Sequence, residues 1–368
     1  MAAELYVRPV GLAESPQTFG GATIRLGNSL VWCHLLALET FDNGALIARQ
    51  IVPVDGFADA LKALPEEQAQ RAQTQFANLS RQHPPMALGE RMLRFDQPQV
   101  MGILNVTPDS FSDGGRFTDN PAQAADAGFA MLAAGAALID IGGESTRPDA
   151  PVVWEGDEIA RVVPAITALA SSGAMVSVDT RKAAVMEAAL AAGAHIVNDV
   201  SALLYDARAL EVVRQAGCPV VLMHAPSQGT DPHAGGQYAN AVTDVFDWLE
   251  ARIEAVVAAG IARSRIIIDP GLGFGKSLAD NLALVNALPL FLALGQPLLF
   301  GASRKRMIGA LSNEAAVDAR LGGSVALALA AIGSGAHIVR VHDVPETVQA
   351  ARVWRGLRDA ALTVPGLD

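Results

Sequence analysis

The sequence predicts an α/β protein: a (β/α)₈ barrel over residues 91–362, preceded by a small α+β appendage over residues 1–85, here called the N-terminal segment. From Arg91 onward, short apolar runs alternate about eight times with Ala-rich helical patterns, which is the repeat that this barrel requires. Several helical patterns end in Gly just before the next apolar run, as at Gly135 and Gly193, and Gly is the common cap there. An open doubly wound sheet is the alternative, but the strands are evenly spaced and no glycine-rich fingerprint follows the first one.

The predicted barrel strands are short apolar runs bounded by turn residues. They cover residues 100–105, 138–142, 175–179, 196–199, 220–224, 266–269, 298–302 and 338–341. The predicted helices between and after them cover residues 121–134, 157–171, 182–192, 207–215, 242–259, 279–288, 318–333 and 345–357. A short run at 91–95 precedes the first repeat, and we expect it to close the bottom of the barrel.

The N-terminal segment has a different pattern. Residues 5–10, 29–38 and 45–52 are predicted strands, and residues 65–82 are rich in Glu, Gln and Ala, as in an exposed helix. His83-Pro84-Pro85 then makes a stiff break. No recognisable site lies in this segment, and its sequence does not indicate a role.

Composition excludes several classes of protein. Half of the residues (51%) are apolar and only 18% are charged, so a well-packed globular protein is expected. The net charge of −11 argues against a nucleic-acid or anionic membrane surface, although a few cations in one pocket could still bind an anionic small molecule. The longest apolar stretch, 289–302, is interrupted by Gly295, Gln296 and Pro297, so no membrane span is expected. Cys33 and Cys218 both lie in apolar runs, and no signal peptide is evident, so we expect a cytoplasmic protein with reduced thiols.

Polar residues follow nearly every predicted strand. They are Asn105, Glu144, Asp179, Asn198, His224, Asp269, Ser303, Arg340 and His342. Because the carboxyl ends of barrel strands meet at one face, this set predicts a single site there. Helix caps would explain Asp or Ser at these positions, but they explain Lys305, Arg340 and His342 badly.

The chemistry of the set indicates an anionic, nitrogen-rich ligand. Arg147, Lys305, Arg340 and His342 supply cations or donors from separated loops, which suits a phosphate or pyrophosphate. Asp179, Asn198 and Asp269 supply the acceptors and amide that the amino–imino edge of a heterocycle would need. In the stretch MGILNVTPDSFSDGG at 101–115, Asn105 and Asp109 offer oxygens suited to Mg²⁺.

Two other motifs do not point to a site of their own. DPGLGFGKS at 269–277 lacks the first Gly of a phosphate-binding loop because Pro270 stands there, so we interpret it as a loop that gives the ligand room. His224 and His233 lack a third ligand for zinc.

Eight motifs, from 101 to 344, resemble in order those of the bacterial dihydropteroate synthase family: MGILNVTPDSFSDGG, DIGGESTRP, SVDTRK, IVNDV, VLMH, IIDPGLGFGK, GASRKRMIG and RVHDV. The resemblance runs from about Arg91 to about Arg358 and leaves the N-terminal segment outside. It implies a homodimeric (β/α)₈ barrel of folate biosynthesis that uses Mg²⁺. The implied reaction joins 6-hydroxymethyl-7,8-dihydropterin pyrophosphate to 4-aminobenzoate, and sulfonamides would compete with the aminobenzoate.

The resemblance also implies roles for individual residues. The metal ligands would be Asn105 and Asp109, and the catalytic residues Asp179, Lys305 and Asp113. The pterin would contact Asp179, Asn198, Asp269 and Lys305, and the pyrophosphate Arg340, His342 and Arg147. Thr146, Pro148, Phe111 and Ser303 would line the aminobenzoate site, and Met223 would also contact substrate.

The chain departs from the family pattern at two places. Asp149 stands where the family usually has Gly, and the stretch at 225–236, APSQGTDPHAGG, replaces a Met-Gln-Gly continuation. These departures bear on the aminobenzoate site more than on the chemistry. Two other functions stay open: a pterin-binding methyltransferase of related fold, which would have no pyrophosphate to expel, and a non-catalytic pterin-binding or regulatory protein.

Overall fold

The computed structural model describes residues 3–107, 121–147 and 150–363. The N-terminal segment is built on an antiparallel sheet whose central strand, β3, pairs with each of the other three strands. Its elements are β1 Glu4–Ala13, β2 Ile24–Arg25, β3 Trp32–Asp42, β4 Ala45–Pro53, α1 Phe57–Leu61 and α2 Glu66–Leu79.

The predicted strand at 29–38 is displaced in the structure, because β3 begins at Trp32 and continues to Asp42. Ser29 lies in a tight turn, where its backbone NH donates to Leu26 O. Glu39, which follows the predicted end of this strand, lies inside β3 and forms ion pairs with Arg8 and Arg49 on the two neighbouring strands. A carboxylate can therefore lie within this strand because cross-strand arginines neutralise it.

Eight parallel strands form the barrel, and their neighbour order follows the chain around the ring. A short hairpin, β5 Met86–Leu88 and β6 Arg91–Leu93, precedes the barrel in the chain. The barrel strands are β7 Gln99–Asn105, β8 Leu138–Gly142, β9 Val176–Asp179, β10 Ile196–Asp199, β11 Val220–Met223, β12 Ile266–Asp269, β13 Leu299–Phe300 and β14 Ile338–Val341. The ring closes where Ile268 on β12 pairs in parallel with Leu298, next to β13. The prediction of a (β/α)₈ barrel is confirmed.

Helices lie outside the ring: α3 Pro121–Ala134, α4 Glu155–Ser171, α5 Ala183–Ala191, α6 Ala209–Ala216, α7 Ala241–Ala258, α8 Leu278–Asn286, α9 Arg306–Leu311, α10 Leu321–Gly333 and α11 Val344–Thr363. The short helix α9 was not predicted, and β13 is shorter than the expected strand at 298–302. Gly135 and Gly193 follow their helices with positive φ (109° and 105°), as expected for caps. None of the described helices is both long and apolar enough to cross a bilayer.

The β5–β6 hairpin closes the amino-terminal end of the barrel, as predicted for the run at 91–95. Leu93 and Phe95 are fully buried there. They share one apolar cluster with the residues that fill this end of the barrel: Met101, Leu138, Met175, Ile196, Val221, Ile267, Leu299 and Ile338. Apolar side chains thus fill the amino-terminal end of the barrel, and the polar strand ends lie at the opposite, carboxyl-terminal end.

The N-terminal segment packs against the outside of the barrel through apolar side chains. Tyr6 on β1 meets Phe246 on α7 edge to face, with ring centroids 5.5 Å apart. Phe246 in turn lies near Phe291, in a buried 3₁₀ turn at Leu288–Leu294. Buried side chains of both parts therefore belong to one continuous hydrophobic core.

Polar contacts at the same interface are specific. Tyr6 Oη donates to Asp247 Oδ2 at 2.7 Å. Arg71 on α2 forms ion pairs with Asp247 and with Glu250 on α7. At the barrel base, His337 Nε2 lies 2.7 Å from Gly27 O, and His337 Nδ1 accepts from the Leu298 backbone NH.

We predict that His337 makes folding sensitive to acid. Burial lowers its pKa from 6.5 to about 4, so the unfolded state binds a proton more readily than the folded state. The stability that the neutral ring contributes is complete above pH 6.5 and is lost as the pH falls from 6.5 to 4, by about 3 kcal/mol. Urea unfolding at pH 7 and at pH 4 should show a smaller pH effect for His337→Gln than for the wild type. Equal pH effects in the two proteins would contradict this assignment.

Candidate active site

A cavity of about 580 Å³ opens at the carboxyl ends of the barrel strands. Nine of the residues predicted from the sequence line it: Asn105, Glu144, Thr146, Arg147, Asp179, Ser303, Lys305, Arg340 and His342. Asn198 and Asp269 also lie at this end, at the carboxyl ends of β10 and β12, and both are buried. Met223 is buried in a small apolar cluster with Phe274, which lines the cavity. Four other predicted residues lie outside the described part of the chain: Asp109, Phe111, Asp113 and Pro148.

One guanidinium holds two carboxylates at the end of the barrel. Arg340 Nε lies 2.5 Å from Asp140 Oδ2, and Arg340 Nη2 lies 2.5 Å from Asp179 Oδ2. Asn198 Nδ2 donates to the same Asp140 oxygen at 2.9 Å. The four side chains thus form a connected network that fixes how β8, β9, β10 and β14 present their polar groups.

Asp140 was not predicted as a site residue. It lies in the middle of the apolar run LIDIG and is fully buried, and its Oδ1 has no hydrogen-bond partner among the described residues. A charged residue inside an apolar strand is costly without a partner, and that signal alone could have identified it. The cation that satisfies it, Arg340, lies 200 residues away in the chain.

Burial controls the ionisation of the acid in this network. Burial raises the pKa of Asp179, and Asp140 raises it further. Arg340 opposes this effect, but its single charge is shared between the two carboxylates, so we assign Asp179 a raised pKa.

Lys305 lies beside the same group of acids. Burial lowers its pKa from 10.5 to about 8, while Asp269 and Asp179 oppose that shift. Its ammonium donates to Leu272 O and lies 4.9 Å from the centre of the Phe274 ring. The ammonium is therefore fixed at the cavity between an acidic and an aromatic neighbour.

His342 is neutral near pH 7, because burial and the neighbouring arginines lower its pKa to about 3. Its backbone NH donates to Ser303 Oγ, and its Nδ1 lies 3.1 Å from the same oxygen. The Ser303 hydroxyl, already an acceptor, is best placed to donate to Nδ1, which leaves the proton of the ring on Nε2. His342 is thus a neutral donor at the cavity rather than a cation.

The glycine-rich loop at 270–277 is held by Lys276, another residue that was not predicted. Its Nζ donates to Gly271 O at 2.8 Å and lies 2.9 Å from His224 Nδ1. Gly271 has φ +69°, and a Cβ there would lie 1.9 Å from His224 O, so only glycine fits. His224, expected among the polar strand ends, is thus buried and holds the loop rather than lining the cavity.

Glu144 holds a loop in place, as Lys276 and His224 do for the glycine-rich loop. It forms ion pairs with Arg181 and Lys182, and its Oε1 also accepts from the Val153 backbone NH. Lys182 Nζ additionally donates to Val153 O and to the fully buried Glu158 on α4. One buried ammonium therefore fixes both ends of the connection at 143–154, which carries Thr146 and Arg147.

We predict that Lys182→Met destabilises the protein by about 3 kcal/mol, because it leaves the fully buried Glu158 without its cation and leaves Glu144 with Arg181 alone. Chemical denaturation would measure the loss. Lys62→Met is the matched control, because the Lys62–Asp59 pair is exposed and its removal should change stability little. Similar denaturation midpoints for Lys182→Met and the wild type would contradict the prediction.

Residues 101–342 match the family described as pterin binding enzyme. The chain belongs to this family. The dihydropteroate synthase of Neisseria meningitidis serogroup C is 45% identical over 271 residues, which cover 73% of this chain and 96% of that protein. The dihydropteroate synthase of Escherichia coli K12 is 44% identical over 262 residues, which cover 71% of this chain and 92% of that protein.

Solved structures of family members agree with the fold. Xanthomonas albilineans dihydropteroate synthase with 4-aminobenzoic acid is 46% identical, has a TM-score of 0.71 and covers 77% of this chain and 100% of its own. The same enzyme in complex with 7,8-dihydropteroate has a TM-score of 0.68 at 44% identity, with the same coverage. The resemblance seen in the motifs is thus confirmed, and so is an additional N-terminal region, because the family match begins only at residue 101.

Proposed function

We propose that this member of the pterin-binding enzyme family is a dihydropteroate synthase. It joins 6-hydroxymethyl-7,8-dihydropterin pyrophosphate to 4-aminobenzoate and releases 7,8-dihydropteroate and pyrophosphate. The observation that carries the proposal is the juxtaposition, at one end of the barrel, of buried heterocycle acceptors with donors for a diphosphate. A methyltransferase would need the first set but would have no use for the second.

The pterin is bound by the buried groups at the end of the barrel. Asp269 and Asn198 present acceptor and amide groups from β12 and β10, and Lys305 supplies an ammonium beside Asp269. A nitrogen-rich ring satisfies such groups by accepting from the amide and ammonium and donating to the carboxylates. Asp179 lies at the same end, where a negative charge stabilises positive charge that develops in the ring.

The pyrophosphate is bound nearer the mouth of the cavity. Arg147, neutral His342 and Arg340 all line it and supply donors. Asn105 ends β7 at the cavity, and its amide oxygen fits Mg²⁺, which needs one or two protein oxygens besides phosphate and water. We assign the Mg²⁺ to Asn105 and Asp109; when bound, it would offset negative charge on the diphosphate.

The reaction follows from the placement of acidic groups at the pterin and of cations and donors at the pyrophosphate. The C–O bond to pyrophosphate breaks, the electron pair leaves with the diphosphate, and Asp179 stabilises the positive charge left on the pterin. The amino nitrogen of 4-aminobenzoate forms the new C–N bond and loses one proton. Early departure of the leaving group suits an aniline nitrogen, because it is a modest nucleophile.

The decisive experiment measures pyrophosphate released by the purified full-length protein in Mg²⁺, with and without 4-aminobenzoate. Release that requires 4-aminobenzoate, with dihydropteroate identified by mass, supports the proposal. We expect chelation of Mg²⁺ to stop release and sulfonamides to compete with 4-aminobenzoate. Pterin binding without turnover would favour the non-catalytic function, and methyl transfer to or from a pterin would favour the methyltransferase.

We assign the protein to the cytoplasm and expect a homodimer. Helices α10 and α11 pack together and carry exposed apolar side chains, among them Leu321, Val353 and Leu357. Such a surface is typical of a subunit interface. Light scattering after size exclusion should give about twice the chain mass of 38.3 kDa, and Val353→Glu/Leu357→Glu should give the monomer. A monomeric wild type would refute the dimer.

A further inference from the structure

His233 lies in the connection between β11 and α7, within the stretch at 225–236 where this chain departs from the family pattern. Its two ring nitrogens contact two other connections. His233 Nε2 lies 2.8 Å from Thr146 O, and His233 Nδ1 lies 3.2 Å from Gly273 O. The ring also stacks on Phe274, with centroids 4.8 Å apart and planes 11° apart.

Both contacts are to carbonyl oxygens, which only accept hydrogen bonds. A neutral imidazole has one N–H and donates once, whereas a doubly protonated imidazole donates from both nitrogens. The two hydrogen bonds therefore exist together only when His233 carries a positive charge. The neutral ring keeps one of them, and the shorter contact, to Thr146, is the one it would retain.

The contacts of His233 join three walls of the cavity. Thr146 belongs to the connection at 143–154, whose ends Lys182 fixes. Gly273 belongs to the loop that Lys276 fixes. Arg181 also links this connection to the stretch at 225–236, because it pairs with Glu144 and donates to Gly229 O. Among the described residues, the hydrogen bonds of Ser145 and Arg147 stay within their own connection, so the contact of Thr146 O with His233 is the link next to Arg147.

We propose that doubly protonated His233 is a positioning residue that holds Thr146 and Arg147 against the Gly273–Phe274 wall and so shapes the 4-aminobenzoate subsite. This inference rests on the proposed function, because it assigns that subsite to Thr146. His233 does not touch the reacting atoms; it acts through the backbone of Thr146 and the ring of Phe274.

Several charged groups lie around His233. Asp231 belongs to the same connection, and its Oδ1 accepts from the His233 backbone NH. Arg147 follows Thr146 in the chain, and Lys276 and Lys305 belong to the wall that includes Phe274. Asp231 attracts a charged ring and the three cations repel it, and a ring that loses its second proton loses one of the two hydrogen bonds.

The test measures kcat and KM for both substrates at pH 6 and pH 8. For the wild type, we expect KM for 4-aminobenzoate to rise about fivefold from pH 6 to pH 8, the effect of one hydrogen bond. His233→Ala should raise that KM at pH 6 about tenfold and remove its pH dependence, with kcat and the KM for the pterin changed less than twofold. His233→Arg, a donor that stays charged, should keep a low KM at both pH values.

Controls separate the possible outcomes. His34→Ala is the matched control, because His34 also stacks on a phenylalanine but lies in the N-terminal segment, and it should leave both KM values unchanged. Absence of 4-aminobenzoate-dependent turnover in the wild type would refute the proposed function itself. An active wild type whose KM for 4-aminobenzoate is unaffected by pH and by both His233 substitutions would overturn the inference about His233. Should His233→Ala not fold, the wild-type and His233→Arg pH profiles decide the question.

Discussion

Replacing Arg340 with Met is expected to lower kcat/KM at least about 100-fold and to destabilise the protein by about 3–5 kcal/mol. The substitution leaves Asp140 and Asp179 buried beside each other without their shared cation. It also removes a positive charge from the proposed pyrophosphate site. Steady-state pyrophosphate release and denaturant unfolding measure the two effects separately.

A double substitution distinguishes stability from catalysis at this site. Arg340→Met/Asp140→Asn has one buried charge fewer, so it should regain part of the lost stability without regaining turnover. Arg208→Met is the matched control, because its ion pair with Glu187 is exposed, and it should behave like the wild type. Near-normal turnover by folded Arg340→Met would show that this guanidinium is not needed for the reaction.

Removing residues 1–85 is expected to prevent stable folding of the barrel. The sequence indicates a small α+β appendage of unknown role, and the structure places its Tyr6 against Phe246 and buries both in a core shared with the barrel. Truncation would expose that apolar surface and would remove Gly27, the partner of His337. A fragment of residues 86–368 should therefore be insoluble or lack a cooperative unfolding transition, and it should fail to complement a synthase-deficient strain that the full chain rescues.

Two further experiments, a co-expression and a point substitution, test this expectation. Co-expression of residues 1–85 with residues 86–368 should restore solubility if the interface alone is responsible. Arg71→Met, which removes ion pairs to Asp247 and Glu250 but keeps the apolar interface, should fold and retain activity. A soluble, active 86–368 fragment with the melting temperature of the full chain would refute the structural role of the N-terminal segment.

The sequence predicted the barrel well because its signals are local. Four of the eight strands, such as Leu138–Gly142, have the predicted bounds, since an apolar run that ends at a polar residue defines both limits. The same regularity predicted that Asn105, Asp179, Lys305 and His342 would meet at one cavity. Each lies at or just after the carboxyl end of a strand, and the barrel brings those ends together.

The missed features depend on contacts between distant parts of the chain. Asp140 and Lys182 were not assigned because their partners lie on other elements, and charge alone does not say which residues will pair. His233 lies in a stretch without a family counterpart in the motifs, and only the folded loops place two carbonyls beside its ring. The contacts that join the N-terminal segment to the barrel could not be predicted for the same reason, because its apolar residues could equally have formed a separate core.

The packed hairpin at the base has a consequence for the order of events during turnover. With that end filled by Leu93, Phe95 and their neighbours, the described residues leave the face at the carboxyl ends of the strands as the route for ligands. Under the proposed function, the pterin binds the buried groups at that face, so we expect it to arrive before 4-aminobenzoate, and an aminobenzoate that arrives early should obstruct its path. Steady-state kinetics should accordingly be sequential and ordered, with inhibition at high concentrations of the second substrate.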